Sequence, residues 1–311
     1  MKSPILVLFL CAAAATPVVA PSASQAGLMH NATTTPSSAY LDYADLFPHV
    51  GWVGRLHESG LTEINGSGVL IDPHWVLTAA HVVLEVNNDP SSLFDVYRAG
   101  FTDNFFEGPG ENLFASAVYV NPDYEDILDG PDLALLYFDD AFTIDPVALY
   151  AGPHVVGTPY DLVGFGRAGT PSTGASTDGR RRAGTNRLTD VDHPAYEGYL
   201  RATFPAPGNP NFMPLGMLAM PGDSGGGWFI DVNGEKHLAG ITSFQSVGAI
   251  AGYGDLSGAT HFSPATLTWI YETMDLHAVP EPSSLILLVI GAAAAARSKR
   301  GFLQTLSIEI D

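Results

Sequence analysis

Residues Pro221–Gly227 have the sequence PGDSGGG, which surrounds the hydroxyl of Ser224 with almost no side chain. Glycine is conformationally costly inside a strand or helix, so a cluster of glycines marks strained backbone or the close approach of another group. A serine in this setting is a candidate nucleophile. It would need a base that accepts its proton and a third group that orients the base.

The candidate base is His81, one of ten histidines in the chain. Histidine suits this role because its pKa lies near neutral pH. His81 ends the segment HWVLTAAH (residues 74–81), an apolar predicted strand that runs into small residues. Small residues at this point allow another segment to approach the imidazole ring closely.

The candidate orienting group is Asp132, which begins the apolar segment DLALLYF (residues 132–138). Most other acidic residues lie in polar stretches, whereas this segment predicts a largely buried strand. A buried carboxylate is energetically expensive unless it is hydrogen-bonded. The second nitrogen of an imidazole would supply that bond, so the sequence favours a pair between Asp132 and His81.

Short apolar runs, bounded by Gly, Pro, Asn or Asp, recur from His49 onward. This pattern predicts an all-β fold of many short antiparallel strands, as in a sandwich or barrel. The runs are HVGWVG (49–54), GSGVLI (66–71), WVLTAAHVV (75–83), LFDVYRA (93–99), LFASAVYV (113–120), DLALLYF (132–138), YDLVGFG (160–166), GWFIDV (227–232) and HLAGITSF (237–244).

Two stretches interrupt this pattern. Residues 166–189 are rich in Gly, Ser and Thr and predict a long surface loop, on which the triplet Arg180–Arg182 is expected to be solvated. Residues 263–274 (SPATLTWIYETM) predict a terminal helix, with Ser263 as the cap and Pro264 at the first helical position. Its predicted apolar face, at spacings i, i+3, i+4 and i+7, consists of Leu267, Ile270, Tyr271 and Met274.

The composition is that of an acidic globular protein. The 311 residues include 46% hydrophobic residues, enough for a substantial core. Thirty-three Asp and Glu against 13 Lys and Arg give a net charge of −20. Such a surface repels polyanions, so nucleic acid is not an expected partner.

The N-terminus is typical of an export signal. Lys2 precedes the apolar run PILVLFLCAAAA (residues 4–15), and Ser24–Ala26 before Gly27 form a small-x-small cleavage pattern. Cleavage after Val18–Ala20 is an alternative that the following proline disfavours, and a buried helix is another.

The predicted cleavage removes residues 1–26 and leaves residues 27–44, rich in Ser, Thr, Ala and Pro, as an expected exposed leader. The only cysteine, Cys11, lies inside the signal, and Leu10 before it argues against a lipoprotein site. The mature chain would therefore lack disulfides and depend on its core alone.

The C-terminal segment VPEPSSLILLVIGAAAAARSKR (residues 279–300) joins a Pro-Glu-Pro turn, an apolar run and a basic cluster. The apolar run, residues 285–296, would span about 18 Å as a helix, short of the ~30 Å hydrocarbon core. The segment resembles the PEP-CTERM sorting signal of bacterial exported proteins, which implies processing by an exosortase. A plain tail anchor is the alternative, and residues 301–311 extend beyond the usual end of such signals.

The motifs GSGVLI, LTAAH, DLALL and GDSGG occur in the order found in trypsin/chymotrypsin-like serine proteases, and residues 45–276 resemble that family. The resemblance implies two antiparallel six-stranded β-barrels with a C-terminal helix and a crossover near residues 141–159. His81 and Asp132 would come from the first barrel and Ser224 from the second.

The resemblance also implies roles for the matching residues. Ser224 is the nucleophile, His81 the general base and then acid, and Asp132 the orienting carboxylate. The backbone N–H groups of Gly222 and Ser224 would bind the developing oxyanion, and the glycines would make room for the substrate carbonyl. The substrate would be a polypeptide, and no metal or organic cofactor is required.

Five further positions match the substrate-binding region of the family. Leu218 corresponds to the base of the primary specificity pocket, Ser243, Phe244 and Gln245 to the strand that pairs with substrate, and Gly258 to a pocket wall. Leucine at the base favours an apolar or small side chain, and Gln245 is expected to narrow the pocket. Alternatively the loop aligns differently and Leu218 belongs to the core.

The sequence departs from the family at three positions. Val82 and Met220 occupy frequent cysteine positions, which removes cross-links that each contribute about 2–4 kcal/mol. In many members a newly cut N-terminus pairs with the aspartate matching Asp223, but no Ile-Val-Gly-Gly-like start precedes His49. Asp223 is then expected to pair with another group, or the activation step is missing.

Together these features predict an exported serine endopeptidase of the bacterial cell envelope, cell surface or extracellular matrix. Signal peptidase and exosortase would process it, and only its C-terminal segment would contact the membrane. A catalytically inactive protease-fold binding or matrix protein is the alternative, and a surface structural protein is a third possibility that leaves the three candidate catalytic residues without a role.

Overall fold

The computed structural model describes residues 27–31, 33–56, 62–84, 96–246 and 251–277. An all-β architecture with a C-terminal helix is confirmed. In chain order the elements are β1 (Gly27–Met29), α1 (Ser38–Ala44), β2 (Val50–Leu56), β3 (Thr62–Asp72), β4 (Trp75–Thr78), a 3-10 helix (Ala80–Val82), β5 (Tyr97–Phe101), β6 (Glu111–Phe114), β7 (Ala117–Val120), β8 (Ala134–Tyr137), β9 (Pro159–Gly164), β10 (Ala168–Thr170), β11 (Gly174–Ser176), β12 (Arg182–Arg187), β13 (Asp190–His193), β14 (Tyr196–Thr203), β15 (Met217–Leu218), β16 (Gly227–Val232), β17 (Glu235–Ser246), β18 (Leu256–His261) and α2 (Pro264–Asp275).

Two curled antiparallel sheets make up most of the fold. The first has the strand order β6-β5-β2-β3-β4-β8-β7, and the second has the order β12-β9-β16-β17-β18-β14-β13. Each sheet has seven strands where the sequence predicted six. In the second sheet the β13–β14 hairpin supplies the edge strand. Residues 138–158 connect β8 of the first sheet to β9 of the second.

One apolar cluster joins the two sheets. It includes Val69 and Leu135 from the first sheet and Phe229, Leu238 and Ile241 from the second, all fully buried. Burial of apolar side chains is the main source of folding free energy, at about 25 cal/mol per Å². The shared cluster therefore fixes the two sheets, and the residues at their ends, relative to each other.

The terminal helix α2 packs on this cluster, as predicted. Ser263 caps it by accepting a hydrogen bond from the backbone N–H of Thr266 at 3.2 Å, and proline occupies the first helical position. The predicted apolar face is wrong at Tyr271, which is 53% exposed. The face that meets the core is rotated, because Trp269 packs on it and the buried positions are Thr266, Ile270 and Thr273.

The expectation of an exposed leader at residues 27–44 is wrong for the described part of this segment. Strand β1 is buried between β10 and β15, and α1 follows it with Tyr40 fully buried. The imidazole of His30 packs on the ring of Phe204, with the centroids 5.0 Å apart. The few apolar and aromatic residues, rather than the average composition, determine the burial of this segment.

The predicted surface loop at residues 166–189 is also corrected, because it contains the strands β10, β11 and β12. Arg181 and Arg182 are 5% and 1% exposed, whereas they were expected to be solvated. Arg181 pairs with Asp103, and both terminal nitrogens of Arg182 bind Asp178 at 2.8 and 3.0 Å. These ion pairs compensate the burial of the two guanidinium groups.

The predicted signal (residues 1–26) and sorting segment (residues 279–300) lie outside the described residues. Among the helices that the structure does describe, none has the length and apolar character needed to cross a membrane.

Candidate active site

His81 and Asp132 meet at one end of the first sheet. His81 lies in the 3-10 helix after β4, and Asp132 lies two residues before β8. These strands pair antiparallel with Thr78 opposite Ala134, which places the end of one beside the start of the other. Nδ1 of His81 lies 2.7 Å from Oδ2 of Asp132, and the backbone N–H of His81 donates to Oδ1 at 3.0 Å.

The carboxylate of Asp132 is fully buried and accepts a third hydrogen bond from the second sheet. Its donor is Oγ of Ser243 in β17, at 2.5 Å from Oδ2. Three hydrogen bonds offset the cost of burying the carboxylate and fix its orientation. The sequence placed Ser243 on the substrate-binding strand and missed this contact, because nothing local relates a β17 hydroxyl to residue 132.

Ser224 lies in the loop before β16 and faces the same cavity as His81. The cavity has a volume of about 490 Å³. In the described part of the chain no hydrogen bond joins Oγ of Ser224 to Nε2 of His81. This bond is often long in the absence of substrate, so the arrangement is compatible with a nucleophile and its base. The lining residues are His81, Ile127, Leu128, Tyr196, Ala219, Met220, Pro221, Ser224, Thr242, Ser243, Phe244, Gln245 and Ser246.

The backbone beside Ser224 offers donors for an oxyanion. Among the hydrogen bonds of the described residues, none uses the N–H of Gly222 or Ser224, whereas the adjacent N–H of Asp223 donates to Met220 and that of Gly225 to Thr242. Two free N–H groups two residues apart form the kind of pair that binds a developing negative charge.

The glycines around the serine have a structural reason besides the space predicted for a substrate carbonyl. Gly225 has a φ of +82°, and a Cβ there would overlap the carbonyl oxygen of Ser67 and Oγ1 of Thr78. Gly222 has a φ of +98° and passes close to the backbone of Gly166. Close approach of the protein's own backbone therefore requires these glycines, in addition to any space that a substrate needs.

Asp223, beside the nucleophile, is held by backbone rather than by a direct ion pair. Its fully buried carboxylate accepts N–H bonds from Gly166 and Met220, each at 2.8 Å. Burial raises the pKa of Asp223 to about 7, while these two bonds and the charge of Arg182 act in the opposite direction. The carboxylate therefore ties the loop that carries Ser224 to the segment after β9.

The structure brings only part of the predicted substrate-binding set to the cavity. Ser243, Phe244 and Gln245 line it, but Leu218 is fully buried and pairs with Leu28 of β1. The structure thus corresponds to the alternative in which Leu218 belongs to the core. Gly258 lies under the ring of Phe244, where a Cβ would overlap the ring, and is not among the lining residues.

Several walls of the cavity were missed by the sequence analysis. Tyr196 stacks on Phe244 with ring centroids 5.6 Å apart, and Met220 and Leu128 add further apolar surface. Neither Tyr196 in β14 nor Leu128 in its loop carries a local signal that places it beside Ser224. In the described residues, no group of three His, Cys, Asp or Glu side chains is arranged to hold a metal ion.

Known proteins and protein families resemble this chain in the following segments. The family model described as Trypsin matches residues 48–270, which is more than half of the chain. The model for the PEP-CTERM protein-sorting motif matches residues 278–300. Serine protease 28 of Mus musculus is 36% identical over 69 residues, which are 22% of this chain and 24% of that protein. The chain thus matches about a quarter of the length of this curated relative.

Proposed function

This chain belongs to the trypsin family, and on that premise we propose that it is an exported serine endopeptidase with His81, Asp132 and Ser224 as its catalytic residues. The observation that carries the proposal is that His81, which lines the same cavity as Ser224, is hydrogen-bonded to the buried carboxylate of Asp132. The family implies polypeptide substrates.

The reaction follows from the positions of these groups. Oγ of Ser224 attacks the carbonyl carbon of the scissile peptide bond while Nε2 of His81 accepts the hydroxyl proton. Asp132 holds the Nδ1–H tautomer and stabilises the imidazolium that forms. The N–H groups of Gly222 and Ser224 bind the oxyanion of the tetrahedral intermediate. His81 then donates its proton to the leaving amine, and an acyl-enzyme remains on Ser224.

Water completes the cycle. His81 takes a proton from a water molecule as its oxygen attacks the ester carbonyl. The second tetrahedral intermediate then collapses, His81 returns the proton to Oγ of Ser224, and the carboxylic acid is released. None of these steps needs a group from outside the chain and its substrate.

The sorting motif bears on location. A PEP-CTERM motif indicates export and sorting to the bacterial envelope, with processing by an exosortase. We further propose that the N-terminal segment is a signal peptide cut before Gly27 and that the mature enzyme acts at the cell surface or in the extracellular matrix.

A fluorescent alkyl phosphonate tests the activity. The purified protein and its Ser224→Ala variant are incubated with the probe and, separately, with a mixed peptide library. We expect covalent labelling and peptide cleavage in the wild type only, with activity in Ser224→Ala lower by about 10⁴-fold or more. Circular dichroism of both proteins is the control that checks whether the variant folds. If a folded wild type showed no labelling and no cleavage, this result would contradict the proposal and favour a protease-fold binding protein.

A further inference from the structure

Ser67 of β3 is a fully buried residue whose hydroxyl binds backbone groups outside its own sheet. Its Oγ donates a hydrogen bond to the carbonyl oxygen of Gly222 and accepts one from the N–H of Phe165, both at 2.9 Å. Gly222 lies two residues before Ser224, and Phe165 directly follows β9. The hydroxyl therefore ties a strand of the first sheet to the loop that carries Ser224 and to the segment after β9.

The bond to Gly222 completes the hold on one peptide group of that loop. The C=O of Gly222 and the N–H of Asp223 belong to the same planar peptide group, here called the clamped peptide. Its C=O is held by Ser67, and its N–H donates to the carbonyl oxygen of Met220 at 2.9 Å. A planar group that is hydrogen-bonded on both edges resists rotation about the single bonds that flank it.

The clamped peptide lies between the two peptide groups that carry the candidate oxyanion donors. The N–H of Gly222 belongs to the preceding peptide group, and the N–H of Ser224 belongs to the following one. The orientation of the clamped peptide fixes one backbone dihedral at Gly222 and one at Asp223, and the relative direction of the two donors depends on these angles. Hydrogen bonds weaken steeply with misalignment, so binding of an oxyanion depends on the clamped peptide.

The peptide group between Ser224 and Gly225 is held in the same manner, but by the backbone of Ser67. Its C=O accepts the N–H of Ser67 at 2.7 Å, and its N–H donates to the carbonyl oxygen of Thr242 at 2.8 Å. This contact does not depend on the side chain at residue 67. A substitution there removes the hold on Gly222 and leaves the hold on Ser224, which separates an effect on the oxyanion donors from an effect on the nucleophile.

Glycine at residue 222 makes the clamp necessary. Gly222 has a φ of +98°, and glycine passes between backbone conformations more readily than any other residue. Without Oγ of Ser67, the C=O of Gly222 and the N–H of Phe165 would lose this partner. Unpaired buried groups are unfavourable, so the loop would rearrange at Gly222 and turn its N–H away from the substrate carbonyl.

We propose that Ser67 is a positioning residue for catalysis, because its hydroxyl holds the clamped peptide so that both candidate donors point at the oxyanion. The inference rests on the proposed function and adds to it a residue of the first sheet. Removal of a whole oxyanion donor lowers kcat by about 10²–10³-fold, so loss of alignment with both donors present should lower kcat by about tenfold to a hundredfold. KM should stay within about twofold, because these donors act mainly on the transition state.

Steady-state kinetics of the wild type, Ser67→Ala and Ser67→Cys tests the proposal, with the peptide that the wild type cleaves best in the mixed library as substrate. Cysteine keeps a similar shape but is a weak donor, so both variants should lose kcat. Ser257→Ala is the control. Ser257 is an equally buried serine in β18, and among the described residues its hydroxyl makes no hydrogen bond with the loop around Ser224.

Two inhibitors built on the same peptide report on the oxyanion donors. In the trifluoromethyl ketone, Oγ of Ser224 adds to the carbonyl carbon, its proton passes to His81, and the carbonyl oxygen becomes an oxyanion. The corresponding alcohol occupies the cavity without forming this adduct. Ser67→Ala should weaken inhibition by the ketone about tenfold to a hundredfold and inhibition by the alcohol less than about twofold.

Thermal melting is measured for every variant. A merely structural role of Ser67 would lower the melting temperature and the amount of active enzyme, but it would leave the ratio of the two inhibition constants unchanged. A folded Ser67→Ala with the kcat and the inhibitor ratio of the wild type would overturn the role of Ser67, and so would an equal change in Ser257→Ala. A folded wild type that is neither labelled by the phosphonate nor active would refute the proposed function, and the inference with it.

Discussion

Oγ of Ser243 donates a hydrogen bond to Oδ2 of Asp132 at 2.5 Å, and so links the second sheet to the candidate catalytic carboxylate beside the first. The same oxygen lies 2.7 Å from Nδ1 of His81. The orientation of the imidazole therefore depends on how the two sheets pack against each other.

Replacement of Ser243 by alanine should lower kcat by about tenfold to a hundredfold, because Asp132 loses one of its three hydrogen bonds and orients His81 less well. Steady-state kinetics on a peptide substrate measures the change. Ser243→Thr keeps the hydroxyl and suits a strand, so it should retain most of the activity. Equal losses in both variants would assign the effect to packing in β17 rather than to the hydrogen bond.

Asp132→Asn should lower kcat by about 10⁴-fold while the protein remains folded. The amide can donate to Nδ1 of His81, which favours the tautomer that cannot accept the proton of Ser224. Activity and thermal melting are measured together. Asp129→Asn, a change of the same kind at an exposed residue three positions away, serves as the control and should be nearly silent.

Gly225→Ala should prevent accumulation of folded, active protein. The variant combines a φ of +82° with overlap of the new Cβ with Ser67 and Thr78. Gly157→Ala is a matched control, because Gly157 has a φ of +89° but no atom within 4 Å of its Cβ position. It should cost only about 1–2 kcal/mol of backbone strain. Similar unfolding free energies for the two variants would show that crowding behind Ser224 is unimportant.

Arg182→Met should destabilise the fold by roughly 3–5 kcal/mol, because the largely buried carboxylate of Asp178 loses its charged partner. Arg182 is 1% exposed and binds both carboxylate oxygens of Asp178. Urea denaturation measures the loss. Arg180→Met, two residues earlier and partly exposed, should change the unfolding free energy by less than about 1 kcal/mol. A loss as large in Arg180→Met would show that burial of Arg182 is not the cause.

His49 should make the fold sensitive to mild acid. Burial, and secondarily the charge of Arg181, lower the pKa of His49 from 6.5 to about 4. Between these values the unfolded chain binds a proton that the folded chain does not. The free energy of unfolding is therefore unaffected by this group above pH 6.5. It falls as the pH drops from 6.5 toward 4, by roughly 3 kcal/mol in total, because protonation of His49 favours the unfolded chain.

The measurement is the unfolding free energy at pH 7.5 and at pH 4.5 for wild type and His49→Phe. The imidazole of His49 packs at an angle on Phe229, with centroids 5.3 Å apart, so a phenyl ring should fit. The variant should lose less stability than the wild type over this interval. Identical pH dependence in both proteins would exclude His49 as a source of acid sensitivity.

The sequence predicted those parts of the site that rest on local patterns. The strand before His81, the buried strand after Asp132 and the glycine-rich loop around Ser224 each have a local signature. The structure places His81 and Ser224 on one cavity and bonds Asp132 to His81. The burial of Leu218 was not predictable in the same way. Its strand pairs with Leu28, 190 residues earlier, and no periodicity near either residue indicates that contact.

The arginines and the leader were misjudged for the same physical reason. Arg182 lies in a Gly- and Thr-rich stretch that resembles a loop, yet it faces Gly164 in a regular ladder and is buried by it. His30 lies in a polar segment, but its ring is enclosed by aromatic residues that include Phe204 and Phe212. Composition reports average exposure, whereas burial here was decided by single long-range partners.

Strand β1 has a consequence for the order of folding. It comes early in the chain, but its partners in the ladder, Ala168 and Leu218, follow about 140 and 190 residues later. Contacts of such long sequence separation form slowly, since a large loop must close first. If the chain crosses the inner membrane with its N-terminus first, β1 can pair with β10 once residues 168–170 have emerged, but its pairing with β15 must wait for residues 217–218. The loop with Ser224 directly follows β15, so the candidate site would be assembled only after most of the domain has left the cell interior.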